Sequence, residues 1–282
     1  MPCGGCGCAS RGPARAPCEQ RPRARRLRPA ARRRPAHPAS PPRRTRARGE
    51  RGSAGSRAAE GRGRGVVRGP AATAAGTRAR CGALLVLAAV LLFAVTVVVS
   101  LSTAGTAYVW YDNMISDLGD GACRVRGGRW ICSPRHVLFN TGVSLTGVLL
   151  MAAGACLMRW WGRALAGSVV VMGAGLVATG VFPAGNTAGL HLAAVVLALV
   201  VPATGFLVSG IRPGTPWLRR RRATRVVLAS VALVFAAVSR LPDGVVPRGA
   251  GELVIVGALL LALLVEAGCV LTRGSRAVDV SR

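Results

Sequence analysis

"GALLVLAAVLLFAVTVVVSLST", residues Gly82 to Thr103, runs for 22 residues without a charged side chain. A helix rises about 1.5 Å per residue, so this run reaches roughly 30 Å, the thickness of the hydrocarbon layer of a bilayer. A helix apolar on every side is built for burial, and at this length for burial in lipid. The stretch predicts a membrane-spanning helix.

Reading onward, the same test selects 137–158, 164–182, 190–210 and 253–272. The segment 226–239 is shorter, at 14 residues, but the flanking Arg225 and Arg240 could snorkel and let it cross. The expectation is an all-α polytopic bundle of six transmembrane helices, or five if the short segment does not span. The first apolar run is too long for a signal-peptide core and carries no cleavage site.

Upstream, the material changes. The 282-residue chain has a net charge of +28, with 38 basic and 10 acidic residues, and every basic residue is arginine. Residues 1–80 carry 21 of those arginines against Glu19, Glu50 and Glu60, a net of +18. This segment has no apolar period and little to bury, so a disordered basic tail is expected. A polyarginine arm can hold nucleic acid or anionic lipid. However, the tail has no aromatic residue for stacking on bases, and no nucleic-acid partner is expected for the membrane domain. No Met lies between Met1 and Met114, so translation starting at Val66 or Val67 is an alternative. Cys3, Cys6, Cys8 and Cys18 have metal-like spacing but lack a folded knuckle to hold them. At the other end, 274–282 reads as a short tail.

Charge also orients the spans. With the amino terminus in the cytoplasm, inner loops carry 11 arginines: Arg159, Arg163, six from Arg212 to Arg225, and three after Thr272. The outer loops carry six arginines together with Asp112, Asp117, Asp120, Asp243 and Glu252. The positive-inside rule therefore places both termini in the cytoplasm, here of a bacterial plasma membrane. Tyr108, Trp110, Tyr111, Trp160, Trp161 and Trp217 all fall near predicted span ends, as interfacial rings do.

The first outer loop, "NMISDLGDGACRVRGGRWICSPRHVLFN" (Asn113–Asn140), is the most polar connection. On an oxidising face, Cys123 and Cys132 flank a segment that turns at Gly127-Gly128, the pattern of a disulfide-closed hairpin. Cys81, Cys156 and Cys269 lie in or beside spans and read as small apolar residues.

"NMISDLG" after the first span, "FNTGVSLTG" opening the second, "GVFPAGNTAGLH" between the third and fourth, and Gly-Glu opening the last resemble the domain-of-unknown-function 998 family. The resemblance covers roughly 85–272. It implies a small bacterial or archaeal membrane protein of about six spans with no established activity. In that family Glu-Arg often opens the last helix, whereas here Glu252 is followed by Leu253.

Asp117, Asp120, His136, Asn140, Asn186, His191, Arg240, Asp243 and Glu252 all lie at outer helix ends. Ionisable groups near lipid face a partner or a cavity, so a shared outer vestibule is expected. Three readings apply to it. One is structural, with Asp117 capping a helix or pairing Arg240 and His191 bonded to a loop carbonyl. Another is a ligand site for a small polar or lipid molecule. The third is a metal-dependent membrane hydrolase acting on a lipid-like substrate, with His136 and His191 as its only membrane-domain histidines. Catalytic zinc wants three protein ligands and an open position, and no local metal signature is present. The leading expectation is a non-enzymatic protein whose partners are the bilayer and a small ligand, with no cofactor.

Deeper features point to packing. Asn140, Ser144, Gly147, Met151 and Gly154 form one small or polar stripe, and Gly173 and Gly180 another, as close helix contacts require. The last span aligns Glu252, Ile255, Leu259, Ala262, Glu266 and Cys269. Glu266 lies about 10 Å from the inner end, at 1.5 Å per residue. There it needs a proton or a partner such as Arg225, Arg159 or Arg163; a proton-relay role is the alternative. The chain has no phosphate-binding loop, nucleophile elbow or dinucleotide fingerprint. These absences remove the ATP-driven pump, kinase and serine-hydrolase classes.

Overall fold

A computed structural model describes residues 70–104, 108–185, 187–241 and 245–279. The expectations for 1–69, including Cys3, Cys6, Cys8, Cys18 and the Val66 or Val67 start, lie outside the described residues. So do those for Asn186, Asp243 and the last three residues.

Helix α1 spans Pro70–Ala104. It begins well before Gly82, so 70–80 leave the expected tail and join the membrane domain. The reason is local: Pro70 suits the first helical position, and the alanines that follow are the strongest helix formers. Helix α2, His136–Val181, is two helices joined end to end, because Gly162 takes φ 72 and ψ 170 and breaks the axis. The two arms, 136–161 and 163–181, run antiparallel. A Cβ on Gly147 would strike the Gly173 carbonyl, one on Gly154 the Ala166 carbonyl, and one on Gly180 the Ser144 hydroxyl. The two small-residue stripes are thus one contact, letting backbones touch where lipid supplies no hydrophobic drive.

The chain then forms α3 (Ala188–Val195), a π turn (Val196–Val200) and α4 (Val201–Ile211) as one continuous rod. Pro202 lacks the N–H that would bond four residues back, which fits a widened turn just before it. Short α5 (Pro216–Arg219) leads into α6 (Arg222–Val238), and α7 runs from Arg248 to Asp279. Helix α7 absorbs most of the expected carboxyl-terminal tail. Among the described residues, four stretches are long and apolar enough to cross a membrane: 76–104, 136–181, 188–211 and 248–272. Leu91 and Val98 on α1 and Leu261 on α7 are 66%, 64% and 49% exposed, so the bundle shows apolar side chains outward as well as inward. An outer surface of this kind is suited to lipid.

The core carries two departures from expectation. Arg225 is fully buried and does not snorkel; its Nη1 donates to Glu266 Oε1 at 2.7 Å and its Nη2 to the Leu218 carbonyl. Of the three arginines available to Glu266, Arg225 takes the pair. Trp161 is also wholly buried, beside the reversal at Gly162, so it packs the core and does not anchor an interface. At the same end, the Thr215 hydroxyl donates to the Trp160 carbonyl at 3.3 Å.

Candidate functional site

The opposite end is covered by the loop between α1 and α2. It holds a 3₁₀ turn (Ile115–Gly119) and a two-stranded antiparallel hairpin, β1 (Arg124–Arg126) and β2 (Arg129–Ile131). Arg126 pairs with Arg129, leaving Gly127 and Gly128 as a two-residue turn at φ 56 and 79. Positive φ at both central positions is what such a turn demands and what glycine supplies. Cys123 and Cys132 are joined across the hairpin, with Cα atoms 4.2 Å apart.

Hydrogen bonds fasten this loop to the start of α2, to the turn between α2 and α3 and to the start of α7. Asn140 Nδ2 donates to the Gly119 carbonyl at 3.0 Å, and Ser133 Oγ to the Leu118 carbonyl at 2.6 Å. Arg124 Nη2 bridges Asp120 (3.0 Å) and the Gly185 carbonyl (2.9 Å), reaching the turn between α2 and α3. The Ala250 N–H donates to the Tyr111 carbonyl at 3.0 Å, pinning the start of α7. Asn113, which opens the loop motif, is buried and organises it: its Nδ2 donates to the Trp130 carbonyl and its Oδ1 accepts from Val109. Burial pushes the Tyr108 phenol up, with the Glu252 and Asp117 charges adding to the rise and Arg129 opposing it. It stays a donor, and gives its proton to the Asn113 carbonyl at 3.3 Å.

Under this loop lies a cavity of about 50 Å³, roofed by Ile115 and Ser116. Its polar wall is Asn140, Thr179, His191 and Glu252, and its floor includes Phe93, Phe139, Leu176 and Val256. By the usual requirement of about 10–15 Å³ per water, it has room for a few waters or a small polar group. The other expected vestibule residues stand apart from this cavity. Asp117 is buried against Arg129 at 3.2 Å and accepts the Met114 N–H at 2.8 Å. It therefore caps the 3₁₀ turn and pairs Arg129, where Arg240 had been the expected partner. Asp120 pairs Arg124 and Arg126, at 3.0 and 3.8 Å. His136 turns its Nδ1 to the Ser133 carbonyl (3.1 Å), and Arg240 lies exposed beyond the end of α6.

What remains in the cavity has a definite chemistry. His191 Nδ1 lies 2.8 Å from the Phe182 carbonyl, which can only accept, so this nitrogen carries the proton and Nε2 is left with its lone pair. Thr179 gives its proton to the Leu176 carbonyl at 2.8 Å, and Asn140 gives its amide to Gly119. Glu252 accepts from the Ser116 N–H at 3.4 Å, with the Ile115 N–H and the Ser116 hydroxyl also beside it, and no cation lies within ion-pair distance among the described residues. Asn140, Thr179, His191 and Glu252 thus all border the cavity. Ser116 and Thr179 had no distinguishing signal in the sequence; they are ordinary hydroxyls until the fold sets them beside Glu252. Among the described residues, no three His, Cys, Asp or Glu side chains gather in a metal-holding group.

An apolar helical bundle with a disulfide-closed, hydrogen-bonded loop defines an integral membrane protein of the polytopic helical class. Residues 70–268 match the family model described as protein of unknown function (DUF998), and the chain belongs to that family. No curated protein and no solved structure matches it.

Proposed function

We propose that this is a non-enzymatic membrane protein whose cavity receives a small polar or lipid ligand from the outer side of a bacterial plasma membrane. The observation that carries the reading is Glu252: a half-buried carboxyl group beside a space shared with His191 and Asn140, with no cation in ion-pair distance among the described residues. Paired acids hold a fold together, whereas an unpaired one at a membrane edge is costly unless something else satisfies it. Six crossings follow if both arms of α2 and the 17-residue α6 each span. An even number leaves both termini on one side, and the arginine distribution and the oxidising chemistry of a disulfide favour the cytoplasm for them and the outside for the hairpin.

The test uses right-side-out vesicles and a chain with Cys3, Cys6, Cys8, Cys18, Cys81, Cys156 and Cys269 replaced by alanine, carrying Ser116→Cys. Impermeant cationic and anionic methanethiosulfonates are compared at pH 8. The cationic reagent should react from outside at least tenfold faster, and Glu252→Gln should abolish that preference. Reaction only after permeabilisation, or no charge preference, overturns the proposal. So would near-stoichiometric zinc lost in His191→Ala, which would point to the hydrolase.

A further inference from the structure

The β1–β2 hairpin gathers more positive charge than its acids neutralise. Arg126 and Arg129 stand directly opposite each other beside the turn, a like-charged pair that costs an antiparallel ladder stability. Asp120 is shared by Arg124 and Arg126, and Asp117 is taken by Arg129. A fourth arginine, Arg248, reaches the same turn from the start of α7. Four guanidinium groups therefore meet two carboxylates. Asp112 is exposed and forms no ion pair among the described residues.

The excess charge converges on one point. Arg129 Nη1 and Arg248 Nη1 each lie 3.8 Å from where a Cβ on Gly127 would stand, so the two nitrogens are no farther apart than twice that distance. Arg129 is firmly placed: its side chain is 11% exposed, and its Nη2 is spent on Asp117 at 3.2 Å. Arg248 is exposed and makes no hydrogen bond or ion pair among the described residues. It also opens a helix whose first turn holds no acid, so it sets a cation at the positive end of the helix dipole. Over Gly128, the next residue of the turn, nothing lies within 4 Å, which leaves the space open to approach.

We propose that Arg129 and Arg248 form a clamp for a phosphate group at the hairpin turn. This site is separate from the cavity and does not rest on the ligand reading above. A phosphate oxygen accepts from a guanidinium at about 2.8 Å, so one phosphate bridges two such nitrogens up to roughly 7 Å apart. Arginine suits this anion because its planar donors match the oxygens, and the pair of unneutralised charges supplies the attraction. A phosphate is carried by a lipid headgroup or is free in the medium, and the neighbouring rings favour the lipid. The Trp110 carbonyl packs on Gly249, one residue from Arg248, and the Trp110 and Tyr111 side chains are 62% and 46% exposed. Exposed Trp and Tyr rings beside a span belong at headgroup depth.

The experiment is photolabelling of the full chain in phosphatidylcholine nanodiscs doped with a phosphatidylglycerol that carries a diazirine on its headgroup. Mass spectrometry should place label on residues 124–130 and 248–251. Arg248→Gln, which breaks no bond of the fold, should lower that label at least fivefold, and Arg248→Lys should keep most of it. Label on the arginine-rich segment 212–222 should be the same in all three chains. Unlabelled phosphatidylglycerol should compete, and diacylglycerol, which lacks the phosphate, should not. Hairpin label that is unchanged in Arg248→Gln, or that falls in step with label on 212–222, overturns the clamp. So does equal competition by diacylglycerol. Displacement by millimolar inorganic phosphate as effective as that by the lipid would overturn the lipid source and assign the clamp to the free anion.

Discussion

The Arg225–Glu266 pair should respond asymmetrically to truncation. Both side chains are almost wholly buried, 1% and 3% exposed, and their closest atoms are 2.7 Å apart. Replacing Glu266 by leucine strands a guanidinium that has no neutral form in proteins, and breaking a buried pair in this way costs about 3–5 kcal/mol. Replacing Arg225 by leucine instead leaves a carboxyl group, which can take up a proton and lose its charge. The remaining losses are one charge-assisted bond and the donor to the Leu218 carbonyl, together about 2–3 kcal/mol. The double leucine variant removes both charges and should fall between wild type and Arg225→Leu, because apolar replacement of a whole pair is often neutral. Reversible unfolding in mixed micelles with increasing SDS, followed by tryptophan fluorescence, supplies the free energies for a double-mutant cycle. Equal costs for the two single variants, adding without coupling in the double variant, would refute this account of the pair.

Other outcomes follow from the same geometry. Thiol-reactive polyethylene glycol should modify Cys81 without reductant but reach Cys123 and Cys132 only after reduction. Their replacement by alanine should cost about 2–3 kcal/mol on the chain-entropy account, read as a lower midpoint of thermal unfolding. Gly147→Leu should destabilise by at least about 2 kcal/mol, because its side chain would run into the Gly173 carbonyl and Val177. Gly257→Ala, with nothing within 4 Å, should be neutral or stabilise by up to about 1 kcal/mol; a loss equal to that of Gly147→Leu would contradict the packing described.

Most of the helical construction was legible because lipid imposes a simple rule, a long apolar run, which local sequence cannot hide. Even the reversal inside α2 showed as Arg159, Gly162 and Arg163 interrupting that run. The errors lie where distant residues decide. Arg225 reads as a snorkelling flank until Glu266, 41 residues away, is placed opposite it. Trp161 reads as an interfacial ring until the two α2 arms close over it. In the site, Asn140, His191 and Glu252 were visible as polar residues at apolar helix ends. Asp117 and Asp120 looked the same, and only the hairpin, which brings Arg129 and Arg124 back over them, removes them from the cavity. The π turn had no sequence marker beyond Pro202.

The fastening of the loop also sets an order of assembly. Its disulfide closes a span of nine residues and needs nothing beyond Cys132. Its docking surface, however, includes Gly249, Ala250 and Glu252, at the start of α7, which is made more than 100 residues later. During synthesis the hairpin is therefore covalently complete while its seat is still missing. The cavity acquires its roof and its carboxylate in the same step, when α7 inserts. A chain truncated before that helix would hold an oxidised hairpin without the α7 part of its seat.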